Sequence, residues 1–304
     1  MHRHGHAHDG TETEADWDLM VEQLEDEVAL HRAALEDALA WVRERLGSSA
    51  SGVRRVLDLG SGPGAVTVLL ARAFPESRVV AVDGSPELLR RTRERAEVEG
   101  LADRVEVRQA RLPEELGTLE PADLVWSRNV LHHLGDQRAG VTSFAELVRP
   151  GGALALLEGG LPRRFLPRDP GVGRPGLQAR LDAAHADWFE EMRRGLPDAR
   201  PVVEHWPGLL AEAGLTGVAS RTFLTDLPAP ADPLVRRFVT ERLARMRDRL
   251  GERLEGEDRV ALEVLTDPED PRSVGRRADV FCLSGDTLHL GRRDSAPLGP
   301  VHRG

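Results

Sequence analysis

The apolar positions of this chain change period along its length. From Trp17 to Leu46 they fall at Trp17, Met20, Leu24, Val28, Leu35, Leu39, Val42 and Leu46, a helical spacing with an opposite face rich in Glu and Arg. "GSSASG" (47–52) breaks the pattern. Short apolar runs then alternate with helical ones. "VRRVLDL" (53–59), "SRVVAVD" (77–83), "RVEVRQA" (104–110), "ADLVWSRN" (122–129) and "ALALLEG" (153–159) read as strands. "AVTVLLARAF" (65–74) and "SPELLRRTRERAEVEG" (85–100) read as helices, the second with Ser85 as N-cap and Pro86 at its first position. Strands alternating with helices imply parallel strands joined by right-handed crossovers. The predicted fold class is therefore α/β, a doubly wound, mostly parallel sheet.

The second half is less regular. "LPRRFLPRDPGVGRPG" (161–176) predicts a mobile loop. Helices are expected over 177–195, 204–215 and 232–254, the last with Val235, Val239, Leu243, Met246 and Leu250 on one face. Acids are interleaved with its arginines, so its polar side is expected to be solvated. Strands are expected over 217–227 and 279–293, the latter as one bent strand or a hairpin.

Charge and composition narrow the partners. The 304 residues carry a formal charge of −10, which weighs against nucleic acid and against an anionic membrane surface. No apolar run reaches the ~18 residues of a membrane span, and no apolar stretch of a secretory leader follows the N-terminus. The single cysteine, Cys282, forms no intrachain disulfide, so a cytoplasmic location is expected. His2, His4, His6 and His8 stand in a polar stretch, 1–16, expected to be a disordered tail rather than a metal site. The chain has no lysine and no tyrosine. Every fixed cation is thus arginine, and no phenol is available as a base.

The chemistry concentrates in "VLDLGSGPG" (56–64). Its glycines allow a tight turn and a close backbone approach to a ligand, and "GSGPGA" fits the loose dinucleotide pattern with Ala65 at the third site. Asp83, ending the second strand, suits a ribose diol. Asp58 discriminates: a carboxylate beside a pyrophosphate is repelled in a low-dielectric cleft. S-adenosyl-L-methionine has no phosphate, and its methionyl ammonium gives Asp58 a partner. The loop amides are then expected to be free for the methionyl carboxylate.

"VLDLGSGPG", "VVAVDGS", "PADLVWSRNVLHHLGD" and "ELVRPGGALALLEGG" together resemble the class I S-adenosylmethionine-dependent methyltransferases, over about 53–160. The resemblance implies a Rossmann-like seven-stranded sheet with its last strand antiparallel and inserted near the edge. It implies S-adenosyl-L-methionine as cofactor and S-adenosyl-L-homocysteine as product. The matched cofactor positions are Asp58, Gly60, Ser61, Gly62, Gly64, Asp83 and Gly84. Gln109, Ala110 and Arg111 stand where relatives contact the adenine, although the usual acid there is replaced by "RQARLPEE". Ser127, Arg128 and Asn129 match positions lining the methionyl part. No metal is implied.

Methyl transfer from a sulfonium needs alignment and exclusion of water, with a base only for some acceptors. His132 and His133 are the candidate bases. Glu158, at the carboxyl end of the fifth strand, is a candidate for holding an acceptor hydroxyl or amine. Arg163, Arg164 and Arg168 are candidates for meeting a substrate carboxylate or phosphate. His185, Trp188 and Phe189 lie on a helix that could fold over the acceptor.

The expected organisation is a tail (1–16), an N-terminal helical cap (17–50), a methyltransferase domain (51–292) with a lid at 160–200, and a second tail (293–304). The expected function is methyl transfer to a small-molecule acceptor by a monomer or homodimer, in specialised metabolism. The alternatives are a regulatory protein that binds the cofactor without turnover, and an NAD(P)-dependent oxidoreductase, against which Asp58 and "RPGG" weigh.

Overall fold

The computed structural model describes residues 14–295. The N-terminal histidines and the residues after 295 lie outside them. The chain divides into two compact units.

The α/β unit comprises Leu35–Gly159, Asp198–Phe223 and the described part of Thr287–Gly304. Its helices are α2 (Arg32–Leu46), α3 (Ala65–Ala73), α4 (Pro86–Val98), α5 (Gln137–Glu146) and α7 (Trp206–Glu212), numbered in chain order with those of the other unit. Its strands are β1 (Arg55–Leu59), β2 (Arg78–Asp83), β3 (Val105–Gln109) and β4 (Ala122–Arg128), with most of β5 (Val148–Arg164), β6 (Thr216–Leu227) and β7 (Cys282–Arg292). The sheet has seven strands in the order β3-β2-β1-β4-β5-β7-β6.

β1 lies parallel to β2 and β4, β2 to β3, and β4 to β5. The last strand enters between β5 and β6. Gly151 and Gly152 bond Arg293, while Glu158 meets His289, so β7 runs antiparallel to β5. Ser220 with His289 and Thr222 with Thr287 give the same sense against β6. The inserted antiparallel strand is the arrangement the resemblance implies.

Central strands buried on both faces read as nearly unbroken apolar runs. Leu57, Leu59, Val80, Val82, Val125, Leu154 and Leu156 pack against Leu131, Val141 and Phe144 in one core. Ser85 caps α4 as expected, its hydroxyl accepting from the Leu88 amide at 3.3 Å. The 279–293 segment forms one strand, not a hairpin.

The mostly helical unit comprises the described part of Met1–Ala34, with Gly160–Pro197 and Leu224–Asp286. It contains α1 (Glu14–Leu30), α6 (Leu177–Arg194), α8 (Pro233–Leu250) and α9 (Gly256–Thr266). Val235, Val239, Leu243, Met246 and Leu250 are all buried, joined by Leu181, Leu262 and Leu265. Asp26 of α1 receives two 2.6 Å hydrogen bonds from the guanidinium of Arg237 on α8.

Several expectations are corrected here. The N-terminal segment is two helices, and the first begins at Glu14, inside the stretch expected to be a tail. They part at His31, whose Nδ1 donates to the Glu27 carbonyl at 2.7 Å while Nε2 faces the Ser284 hydroxyl at 3.1 Å. A side chain bonding its own backbone competes with the helical ladder. The expected single cap is thus shared out, α1 in one unit and α2 chiefly in the other. The segment 161–176 is not simply a loop. It begins in β5, and Phe165 and Leu166 are fully buried, their amides donating to Gln178 Oε1. α9 has no counterpart in the pattern read from the sequence. Among the described residues, no helix is long and apolar enough to cross a membrane.

Candidate active site

In an open α/β sheet, ligands bind beyond the carboxyl ends of the strands where the strand order reverses. Here that point lies between β1 and β4. The expected cofactor residues gather at the carboxyl ends of β1 to β4: Asp58, Asp83, Gln109, Ser127 and Arg128 within the strands, and the others in the segments that follow them.

The glycine loop turns through left-handed backbone at Gly60 (φ 70°), Gly62 (φ 55°) and Gly64 (φ 80°). Gly60 is sterically obligatory: a Cβ there would stand 2.3 Å from Val130 Cγ2. The loop amides, expected to be free, are not. Gly60 N and Ser61 N donate to the Val82 carbonyl at 2.8 and 3.0 Å. Gly62 N donates to Asp83 Oδ2 at 2.9 Å, and Gly64 N to the Ser61 carbonyl at 3.3 Å. Two α4 side chains hold the loop carbonyls: Thr92 Oγ1 donates to Gly62 O at 3.1 Å and Arg95 Nε to Pro63 O at 3.2 Å. A pyrophosphate would have to displace these bonds.

Asp58 lies under the loop, 2% exposed, and accepts a 2.7 Å hydrogen bond from Thr67 Oγ1. Burial pushes its carboxyl up to about 7; the Thr67 bond opposes this, and the charge of Asp83 adds to it. Asp83 accepts 2.9 Å bonds at each oxygen, from Gly62 N and Ser85 N. Burial raises its pKa against those amides. Each oxygen keeps a further lone pair, enough for one hydroxyl of a diol apiece.

The residues after β2 and β3 close that side. Gly84 O accepts from Gln109 Nε2 at 3.1 Å, which leaves the Gln109 amide oxygen as the acceptor of that side chain. The Ala110 amide donates to Asp83 O at 3.0 Å, and the Arg111 amide to Glu115 Oε2 at 2.8 Å.

At the end of β4, Ser127 is fully buried and Arg128 is partly so. Asn129 adopts φ 54°, a left-handed conformation that Asn tolerates better than most side chains. Glu158 Oε1 accepts from the Val130 and Leu131 amides at 2.8 and 2.9 Å. Its other oxygen stands 3.7 Å from His132 Nδ1. Glu158 is thus buried, with one oxygen holding the turn and the other facing the imidazole. His133 is exposed, its ring centroid 4.0 Å from that of His132.

In the other unit, Arg163 pairs with Glu27 and lies partly buried, so it is not held out toward solvent. Trp188 packs against that unit's core. Among the described residues, no group of three or more His, Cys, Asp or Glu is arranged to hold a metal.

The donor set can be tested against a phosphate-free zwitterion. Ser61 Oγ and Ser127 Oγ are buried and have no hydrogen-bond partner among the described residues. Orphaned hydroxyls of this kind require explanation, and a carboxylate supplies one. A buried Asp58 that is half-ionised near neutrality suits an ammonium, and Asp83 a ribose. The residues fit S-adenosylmethionine.

Thr67, Thr92, Arg95 and Val130 were missed by the sequence reading. Each acts through a tertiary contact that has no fixed spacing.

A family model described as a methyltransferase domain matches residues 56–152. The trans-aconitate 2-methyltransferase of Methylobacterium nodulans is 33% identical over 210 residues, covering 65% of this chain and 78% of that protein. The trans-aconitate 2-methyltransferase of Azoarcus is 36% identical over 110 residues, 36% of this chain and only 40% of the relative's length. A ribosomal protein uL3 glutamine methyltransferase of Bordetella pertussis is 32% identical over 174 residues, 55% of this chain and 54% of that protein.

Proposed function

We propose a small molecule as the methyl acceptor of this chain, which belongs to the class I S-adenosylmethionine-dependent methyltransferases. When bound, S-adenosylmethionine supplies a methyl group already activated on a sulfonium. The chain's own residues then bind, orient and deprotonate. Asp58 faces the ammonium, Asp83 the ribose hydroxyls, and Ser61 and Ser127 the methionyl carboxylate. Gln109, Ala110 and Arg111 border the adenine. His132, oriented by Glu158, takes the proton of an acceptor that must lose one.

One observation carries the choice of acceptor. The relative named for a small carboxylic acid is matched over 78% of its length, and the one named for a ribosomal protein over 54%. The charge of −10 agrees, since a nucleic acid would be repelled. Specialised metabolism is the proposed setting, suggested by the Arg-rich segment 161–176 and the acidic net charge, and the single cysteine suggests the cytoplasm. The working form is a monomer or homodimer, which light scattering distinguishes.

The test has two stages. Titration calorimetry with S-adenosylhomocysteine and with NADH establishes the cofactor. Release of S-adenosylhomocysteine is then followed over a panel of small carboxylic acids, phenols and amines, with ribosomal protein as the competing acceptor. Turnover on a small molecule supports the reading. Turnover on protein alone overturns it.

A further inference from the structure

We propose that the mostly helical unit carries a binding site for a small oxyanion-bearing molecule, a polycarboxylate or a phosphate, lined by Arg242, Arg245 and Arg249 of α8 with His185 of α6. The inference does not depend on methyl transfer.

The three arginines recur at intervals of three and four residues, so they share one face of α8. With His185 and Met246 they line a small recess of about 30 Å³, partly open to solvent, so that an oxyanion group can enter while the rest of its molecule stays outside. Such a face is normally solvated. Here α6 packs against α8 and partly covers it, leaving Arg242 and Arg245 half-buried and Arg249 exposed.

Two donors of these arginines are left over. Arg242 Nε and Arg245 Nη1 are buried with no hydrogen-bond partner among the described residues. Glu241 Oε2 stands 3.9 Å from Arg245 Nη1, too far for a hydrogen bond. Arg249 lies over the Trp188 ring at 4.3 Å. Stacking fixes a guanidinium without consuming its in-plane N–H donors.

Acids are present nearby, and they do not suffice. Glu27 and Asp182 act on Arg242, and Glu241 and Glu27 on Arg245. Glu27 already pairs with Arg163, whose charge works against Arg242. Burial and that repulsion push the Arg242 guanidinium down to about 10. Arg245 and Arg249 are lowered as well, chiefly by burial. Burial and the Arg242 and Arg249 charges push His185 down to about 4, so it is neutral at pH 7 and can accept or donate.

Guanidinium groups left short of counter-charge and clustered on one helix face are the complement of a carboxylate or phosphate. The thioether of Met246 offers an apolar wall for a carbon skeleton. Inorganic phosphate and tricarballylate represent the two sources of the oxyanion.

Calorimetric titration of the full chain at low ionic strength tests this. Binding of either anion is expected at millimolar affinity or tighter, weakened about tenfold or more by Arg242→Gln. Arg249→Gln, at an exposed position, guards against misfolding and is expected to act in the same direction. Arg272→Gln, on an exposed ion pair with Asp270 outside the pocket, should leave binding unchanged. Preference for tricarballylate assigns a polycarboxylate, and preference for phosphate a phosphorylated ligand. No binding of either anion, or equal binding by wild type and both pocket variants, overturns the proposal.

Discussion

The hydroxyl of Thr67 sits 2.7 Å from a carboxylate oxygen of Asp58, and both residues are shut away from water beneath the glycine loop. The bond holds the first turn of α3 to β1. It also favours the ionised carboxylate at a depth where burial opposes it.

This pair gives the unliganded protein a pH signature. Asp58 has its pKa raised in the folded state, to about 7 from 3.8. Its contribution to stability is therefore complete below the unfolded value and is lost as pH rises through the folded one. Stability should fall by up to about 1.4 kcal/mol per pH unit across that window. Chemical denaturation of wild type and Asp58→Asn from pH 4 to 8 checks this, the variant losing the slope. In wild type, S-adenosylhomocysteine should bind with proton release near pH 6.5, seen by calorimetry in two buffers of different ionisation enthalpy.

Gly60 has no room for a side chain. Gly60→Ala brings a Cβ to 2.3 Å from Val130 in left-handed backbone, at about 2–4 kcal/mol of stability. Binding of S-adenosylhomocysteine should be lost with it. Gly60→Ala combined with Val130→Ala should recover part of the stability, since the overlap is with the Val130 side chain. Thermal melts of the four proteins in the cycle decide this.

Glu158 separates two roles by substitution. Glu158→Ala leaves the Val130 and Leu131 amides without their acceptor, at about 2–5 kcal/mol. Glu158→Gln keeps an oxygen there and should fold normally. The Gln variant should nonetheless change the pH–rate profile, because it removes the charge facing His132. His132→Asn should lower kcat by about 10²–10⁴ with cofactor affinity unchanged. Rates on the acceptor found by the screen provide the readout.

Gln178 ties the segment after β5 to α6. Its oxygen accepts from Phe165 and Leu166, and its amide nitrogen donates to the Arg163 carbonyl at 2.5 Å. Gln178→Ala should cost about 2–4 kcal/mol by stranding buried amides. Hydrogen exchange should quicken at residues 165 and 166 first.

Local chemistry made much of this legible in advance. Ser85 announced a helix start, and the unbroken apolar runs of β1, β2 and β4 announced buried parallel strands. Asp83 could be placed because it ends a strand in such a sheet. What stayed hidden depends on elements far apart in the chain. The loop amides looked available because nothing in "GSGPG" shows that the Val82 carbonyl and the Asp83 carboxylate accept from them. Arg242 and Arg245 looked solvated because a helical period reports which side is polar, not whether α6 covers it. Phe165 and Leu166 sat among prolines and arginines, and only Gln178 reveals why their amides can be buried.

The bidentate bond between Asp26 and Arg237 closes a loop of 211 positions. A ribosome adds about 5–20 residues per second, so α1 emerges about 10–40 s before the residue that will hold it. Within that time the segments of the α/β unit up to Gly159 emerge. During synthesis Asp26 thus waits, without its guanidinium partner, for the residue that completes this contact.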